Sequence, residues 1–215
     1  MQHILNIIDP STEDGLISVA DMKKILNIQP TDTSKDEGLG LLIDAVSIQM
    51  AVLVNRRTFG IEKVEETFYE IENSKRLYFS KWPVKFDDIQ ELTFQGTDIL
   101  TSTDWVLEEL TGTLYTPPSG IWNGTVNAIY TGGYALPEGA PLDLQRACSI
   151  LVGEGYYSQQ RGGTLSNVRM IAHKQARVMY YPGTDASSGS GSSVGAPQTW
   201  NSVRSVLQHY FRHGV

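Results

Sequence analysis

The stretch Tyr130–Ala147, YTGGYALPEGAPLDLQRA, marks the place where the chain changes from one kind of secondary structure to another. A β-like run, Val126–Tyr130, leads into Gly132-Gly133, and a helix begins after a loop rich in proline. A glycine-rich turn between a strand and a helix can hold a phosphate, but no P-loop or dinucleotide pattern follows these glycines. Asp143 also lies in the first helical turn, where a carboxylate repels an anion. The two glycines therefore indicate a sharp turn out of a strand and not a phosphate site.

Helical periodicity lies on both sides of this turn. Ser18 with Asp21, and Ser34 with Glu37, have the capping-box spacing that opens a helix. Apolar residues three and four positions apart continue each of these segments, and they return after Pro141. The pattern predicts four helices, over residues 18–28, 34–57, 141–160 and 165–180.

Between Gly60 and the turn, the apolar period changes from helical to alternating. The runs are short and rich in Tyr, Phe, Trp and Thr, residue types that suit a half-buried sheet. Turn signals such as Asn73-Ser74, Gly96-Thr97 and Asn123-Gly124 separate them. Residues 61–133 are therefore predicted to form a small antiparallel β region.

The return of the helical pattern after residue 133 suggests that the β region is an insertion. The sequence predicts an α+β protein: an antiparallel helical bundle core, an inserted small antiparallel β region and an extended C-terminal tail. The core would combine residues 16–60 with 134–181, and the insertion would be 61–133.

The tail follows a segment of linker composition. Residues 182–199 are dominated by Gly and Ser, which suits a flexible linker. Beyond it, residues 200–215 (WNSVRSVLQHYFRHGV) have an apolar helical stripe that calls for something to bury it. The segment could fold onto its own core or dock on a neighbouring molecule.

Composition narrows the class of protein. At 215 residues the chain is long enough to bury a core without a metal or a disulfide. The single cysteine, Cys148, and the absence of a signal-like start favour a reducing cytoplasm as the place of synthesis. No apolar run approaches the roughly 18 residues that a membrane helix needs. We therefore expect a soluble protein with no membrane partner.

The net charge of −7 is unevenly distributed along the chain. Residues 61–133 hold twelve acidic and five basic side chains, whereas residues 134–215 hold four acidic and seven basic ones. A groove-reading DNA-binding protein normally has a dense basic face and a high pI, which this composition does not provide. Oppositely charged faces are also expected of a subunit that stacks in an assembly.

No combination of residues indicates catalysis. Ser193 matches the nucleophile-elbow pattern G-x-S-x-G, but the match lies in the Gly/Ser linker and lacks the flanking strand and helix. His209 and His213 are four residues apart without a nearby carboxylate or thiolate to complete a metal site. Cys148 lies on an apolar stripe, as a buried, unreactive thiol does. We therefore expect no enzyme activity, no cofactor and no metal.

Several short motifs occur in order along the chain. The first is Glu37-Gly38-Leu39 through Ala45 at the start of a helix, and the second is Pro83-Val84 after a strand. Tyr130–Tyr134 (YTGGY) then ends a strand. Tyr156-Tyr157 followed by Arg161, and Val206–Arg212 (VLQHYFR), come last. In this order they resemble the head-to-tail connector (adaptor) family of tailed bacteriophages. The resemblance covers most of the chain from about residue 16, and the helix at 165–180 and the Gly/Ser linker depart from it. In this family the YTGGY segment would be a structural hinge.

The resemblance implies a non-enzymatic virion protein. It would form a ring, a dodecamer in the virion, bind below the portal protein and extend the DNA channel without binding DNA specifically. It would also provide the platform for the tail or for a stopper or nozzle protein. The resemblance favours a tail that docks on the portal or on the adjacent subunit. The residues implied for that contact are Trp200, Val203, Leu207, Tyr210, Phe211 and Arg212.

A binding module is the alternative from a different class. The β region carries aromatic residues that could hold a glycan or a peptide: Tyr69, Tyr78, Trp82, Trp105 and Trp122. Such residues more often form the core of a sheet. A hydrolase would rest on Ser193 alone.

Overall fold

The computed structural model describes residues 2–100, 105–116, 120–160, 170–173, 176–179 and 198–211. Within these ranges there are four α-helices: α1 (Val19–Ile25), α2 (Asp36–Leu53), α3 (Leu142–Gln160) and α4 (Gln198–Leu207). The strands are β1 (Gln2–Asp9), β2 (Glu62–Ser74), β3 (Arg76–Tyr78), β4 (Ile89–Phe94), β5 (Thr97–Asp98), β6 (Val106–Glu108), β7 (Thr113–Tyr115), β8 (Trp122–Gly132), β9 (Met170–His173) and β10 (Ala176–Met179).

The capping pattern predicts one helix start correctly and another incorrectly. Ser18 caps α1, because its hydroxyl accepts from the Asp21 N–H at 3.1 Å and donates to the Asp21 carboxylate at 2.7 Å. At α2 the N-cap is Lys35, without a side-chain cap, because the Ser34 hydroxyl bonds Asp32 at 2.5 Å. Both helices nevertheless form within the predicted segments.

The strands form two larger antiparallel sheets. One has five strands in the order β1-β2-β8-β4-β5, and the other has three in the order β3-β7-β6. Both contribute side chains to one hydrophobic cluster, including Val64, Phe68 and Val126 from the larger sheet and Leu77 and Leu114 from the smaller. The two sheets therefore pack face to face around a shared core.

The helices form a second hydrophobic cluster. All four contribute, with Met22 from α1, Ile43 and Met50 from α2, Leu151 from α3 and Leu207 from α4 among the buried residues. The protein thus has a helical layer and a sheet layer, each with its own core.

The prediction of a helical bundle core is wrong. Within the described residues the chain is rich in β-structure: eight strands form two antiparallel sheets, two more form a ribbon, and there are four helices. One reason is β1, which the sequence pattern did not reveal and which pairs with β2 along its length. A second is the predicted helix at 165–180, where β9 and β10 instead pair as an antiparallel ribbon.

Three passages of the chain between the two layers meet at one place. A Cβ on Gly133 would lie 2.7 Å from the Gly60 carbonyl carbon, and a Cβ on Gly60 would lie 2.6 Å from the Glu13 carbonyl oxygen. The Tyr134 N–H donates to the Phe59 carbonyl at 2.9 Å across this contact. We call this junction, residues 11–14, 58–62 and 132–134, the seam. The sharp turn predicted at Gly132-Gly133 lies here, and only glycine allows such close contact between the backbones.

Candidate docking surfaces

The C-terminal helix packs on α3 of its own chain. Val203 and Leu207 lie four residues apart, on one face of α4, and are 1% and 4% exposed. They belong to the same hydrophobic cluster as Leu144 and Cys148 of α3. Two members of the predicted apolar stripe, Val203 and Leu207, are therefore buried in the helical layer of this chain.

Tyr210, in the 3₁₀ turn after α4, links the helical layer to the sheet layer. Its ring is parallel to that of Trp82, with the centroids 6.1 Å apart, and it meets Phe59 edge-on at 6.4 Å. Its hydroxyl donates to the Asp143 carboxylate at 2.7 Å. Burial and this hydrogen bond to Asp143 raise the pKa of the Tyr210 phenol well above its usual value. The Tyr210 phenol therefore stays neutral and keeps the proton that it donates to Asp143.

Trp82 also contacts the segment that follows α2. The Arg56 guanidinium carbon lies 3.6 Å from the Trp82 ring centroid, and an Arg56 N–H donates to the Trp82 carbonyl at 3.0 Å. Such cation–π contacts are strongest when the cation is shielded from water, and Arg56 is buried. Trp82 therefore joins the sheet layer both to the end of α2 and to the C-terminal segment.

The remaining predicted docking residues lie beyond this contact. Trp200 is in α4, and its side chain is outside the described part of the structure. Phe211 is 37% exposed, and Arg212 is outside the described residues. The structure thus brings together Val203, Leu207 and Tyr210 and leaves Phe211 at the surface. Their role in binding a partner stays a prediction.

A buried carboxylate with two cationic partners lies at the seam. The Glu62 carboxylate at the start of β2 is fully buried between the Lys81 ammonium and an Arg57 N–H, the latter at 3.0 Å. Burial lowers the pKa of Lys81, and the pairing with Glu62 opposes that shift. A buried carboxylate with cations on both sides is a structural arrangement that would be costly to break.

Two hollows on the described surface have volumes of about 320 and 200 Å³. In the larger, the Tyr156 hydroxyl accepts from Lys35 at 3.0 Å and from Gln160 at 2.6 Å. In the smaller, the Thr58 hydroxyl donates to Asp14 at 2.8 Å. Thr58 with Asp14 is one hydroxyl–carboxylate pair, and the hydroxyl also accepts from the Gly60 N–H at 3.0 Å, so this pair supports the backbone at the seam.

Two of the five aromatic residues considered for a glycan or peptide site are part of the sheet core. Trp105 and Trp122 are buried. Trp82 is engaged by Arg56 and Tyr210, and Tyr69 is exposed. Trp82, Trp105 and Trp122 are therefore not available as an open platform of the kind that the alternative function requires.

The single candidate thiol is buried, as predicted, and Ser193 and His213 lie outside the described residues. Burial raises the pKa of Cys148 to about 11, so the unreactive thiol form dominates at neutral pH. His209 is exposed beside the C-terminal helix.

An exposed apolar stripe on α2 was missed by the sequence reasoning. Leu41, Ala45, Ile48 and Val52 follow one another at intervals of four, three and four residues, and all are exposed. They lie opposite the buried face that contains Ile43. We call these four residues the α2 stripe. The sequence did contain a sign of this stripe: α2 is apolar on both faces, which is typical of a helix that is covered on both sides.

None of the helices within the described ranges is both long and apolar enough to span a bilayer.

No protein-family model matches the chain, and no curated protein matches it. Solved structures do. A chain from the neck of an empty gene transfer agent (GTA) particle, computed with C6 symmetry, is similar with a TM-score of 0.54 and 13% sequence identity, over 99% of this chain and 97% of that chain. A chain from the virion of a native GTA particle is similar with a TM-score of 0.53, at the same identity and coverage. The chain therefore has, over almost its whole length, a fold found in the neck of these virus-like particles.

Proposed function

We propose that this protein is a structural, non-enzymatic subunit of a virion neck: a head-to-tail connector, or adaptor. The single observation that supports this most strongly is the fold similarity over 99% of this chain and 97% of a chain in a GTA neck. The ordered motifs around YTGGY point to the same family independently of the fold. Made in the host cytoplasm, the protein would act in the neck, at the interface between head and tail.

In this function the subunits form a ring, a dodecamer in the virion. The ring binds below the portal protein and extends the DNA channel. On its other side it presents a platform to the tail or to a stopper or nozzle protein. The net charge of −7 supports a channel through which DNA passes without specific binding. Tight non-specific binding depends on neutralising phosphates with Lys and Arg, and an acidic subunit supplies few of these contacts.

The C-terminal segment is our proposed contact with the portal or the adjacent subunit. Phe211 is exposed and can contact a partner while α4 stays on α3. Val203 and Leu207 are buried in the chain's own helical layer. They would contact a partner only if the segment exchanged between subunits, which is a low-cost route to association when an identical site exists on the neighbour.

Cryo-electron microscopy of the protein mixed with the portal protein of the same particle tests the proposal. We expect a ring of this protein on the tail-facing end of the portal. A mixture in which the protein stays separate from assembled portal, at concentrations where both are folded, would contradict the adaptor function.

A further inference from the structure

The α2 stripe is an unpartnered helix face within the described part of the chain. Leu41 is 67% exposed and Val52 is 61% exposed, with Ala45 and Ile48 between them along the helix. The opposite face of the same helix already packs in the helical core through Leu39 and Met50. A row of apolar residues along three turns of one helix is larger than the scattered exposure normal for a surface.

The chain itself offers little to cover the stripe. The longest stretch outside the described residues, 180–197, is dominated by Gly and Ser and carries few large apolar side chains. Another molecule is therefore the better source of a covering surface.

A second copy of the chain carries a surface that fits. On the outer face of α3, Leu142 is 82% exposed, Ile150 39% and Tyr157 46%. Arg146, also exposed, lies one turn from both Leu142 and Ile150. These four residues, which we call the α3 stripe, run along the helix for about one turn more than the α2 stripe.

Charge distinguishes the two stripes. Helix α2 contains acidic residues and no basic one, and its Glu37 and Asp44 are exposed beside the α2 stripe. Burial and the neighbouring Asp14 and Glu13 raise the pKa of Asp44, so negative charge is already crowded there. An α2-to-α2 contact would bring these acids together, whereas contact with the α3 stripe would place them near Arg146. Helix α3 also carries Glu154 and Asp143, but the Asp143 carboxylate already accepts from the Tyr210 hydroxyl, so Arg146 is the charge of α3 that lies within the stripe.

We propose that the α2 stripe of one subunit packs on the α3 stripe of the next, with Asp44 of the first facing Arg146 of the second. The contact is head-to-tail, so it repeats around a closed ring. This inference rests on the proposed function only in taking the partner to be another subunit of the ring.

Cross-linking tests the geometry directly. Ala45→Cys and Ile150→Cys each introduce one exposed thiol, and the native Cys148 is buried. One variant is labelled with ¹⁵N, and the two are mixed at high concentration with a flexible bismaleimide. We expect labelled–unlabelled heterodimers by mass spectrometry, and no homodimers from either variant alone. Homodimers of Ala45→Cys would indicate a symmetric α2 contact and overturn the inference, as would the absence of heterodimers.

Charge reversal tests the pairing. Asp44→Arg and Arg146→Asp should each lower self-association at least tenfold in sedimentation velocity, because each places like charges together. An equal mixture should recover the wild-type association, since alternating subunits restore opposite charges at every contact. Failure of the mixture to recover, with both variants folded by circular dichroism, would contradict the pairing of Asp44 with Arg146.

An experiment on the assembled neck distinguishes a failure of this inference from a failure of the proposed function. Ile48→Arg should prevent ring closure on the portal, whereas Gln49→Arg, which adds the same charge at an exposed polar position outside the stripe, should not. If Ile48→Arg still forms complete rings, the α2 stripe does not join subunits, and the adaptor function stands. If Ile48→Arg forms rings but no longer holds the tail-side protein, the stripe binds that protein and the inference is wrong. If the wild-type protein forms no ring on the portal, the adaptor function itself fails.

Discussion

Gly133 has two separate reasons to be glycine. Its backbone φ is +121°, a value that L side chains rarely adopt, and it lies against the Gly60 backbone at the seam. The first reason applies to any residue with such a φ. The second is particular to this place, where the sheet layer returns to the helical layer.

Replacing this glycine should therefore be costly. We expect Gly133→Ala to lower the free energy of unfolding by about 2–4 kcal/mol, from the strained backbone and the contact of a Cβ with main-chain atoms. Urea denaturation followed by fluorescence measures this. Gly96→Ala is the matched control, because Gly96 has a φ of +78° but open space around it. It should cost only about 1 kcal/mol. Equal losses in the two variants would show that the close backbone contact at Gly133 contributes nothing.

His3 gives the edge strand β1 a pH-dependent contact. Its Nε2 lies 3.1 Å from the buried Glu66 carboxylate, which also accepts from Tyr130 at 2.5 Å and from the Ser80 hydroxyl at 2.6 Å. The hydrogen bond to Glu66 raises the pKa of His3, burial opposes that shift, and the charge of Glu66 adds to it. The His3 ring also stacks on Phe68 at 5.8 Å.

The sign of the pH effect follows from this raised pKa. Stability from protonated His3 should be fully present below its unfolded pKa of 6.5 and be lost as the pH rises through the higher folded value. We expect the difference in unfolding free energy between the wild-type protein and His3→Gln to shrink from pH 6 toward pH 8. Chemical denaturation at each pH measures it. A difference that is constant, or that grows with pH, would show that His3 is not charged in this contact.

At the scale of elements, α4 is the helix whose role depends most on what surrounds it. Its buried residues and the Tyr210 contacts bind it to α3 and to Trp82 in this chain. We expect Leu207→Ala to destabilise the protein by about 2–5 kcal/mol, as a large-to-small change in a packed core does. Thermal and urea unfolding of the variant measure this. Little change would indicate that α4 does not hold to α3 in solution.

Phe211 provides the contrasting variant. Because it is only partly buried, Phe211→Ala should cost about 1–2 kcal/mol, less than Leu207→Ala. If the C-terminal segment contacts the portal as proposed, the same change should weaken portal binding, measured by co-sedimentation. Arg204→Ala, at an exposed position of α4, is the control for a general surface effect. Portal binding that is unaffected by Phe211→Ala would remove that residue from the contact.

Elements with local signals could be predicted from the sequence, and elements defined by distant partners could not. Helix α1 has its own cap at Ser18, and α3 begins directly after Pro141, so each start is encoded nearby. Strand β1 has mostly exposed side chains on both faces, which removes the alternation that identifies a strand. Its partner β2 begins more than fifty residues later.

The ribbon of β9 and β10 shows the limit of periodicity. Each strand has four residues, and Ile171 and Met179 also fit the apolar positions of a helix. A run this short matches both periods, so the pattern alone could not distinguish them. For the docking surfaces, the apolar spacing of Val203 and Leu207 was visible in the sequence. The contact of Tyr210 with Trp82 and Asp143 was not, because it depends on how the two layers meet.

At the scale of the whole molecule, the net negative charge disfavours tight binding to DNA. The chain carries 24 acidic and 17 basic side chains, and the β-rich segment is its most acidic part. We expect no measurable duplex binding by the assembled ring near physiological ionic strength, by fluorescence anisotropy of a labelled duplex. Binding there that falls steeply with added salt would reveal phosphate contacts and contradict a channel through which DNA slides freely.

The seam also leads to an expectation about the order in which the chain folds. The three passages that meet there are far apart in sequence, so their contact requires long loops to close, at an entropic cost that local hairpins avoid. The pairing of β2 with β8 reaches the seam only at its final pair, Glu62 with Gly132. We therefore expect the seam to be absent from the transition state for folding. In stopped-flow experiments, Gly133→Ala should speed unfolding and leave the folding rate nearly unchanged. A slower folding rate would instead make the seam part of the nucleus, and the two layers would then form together.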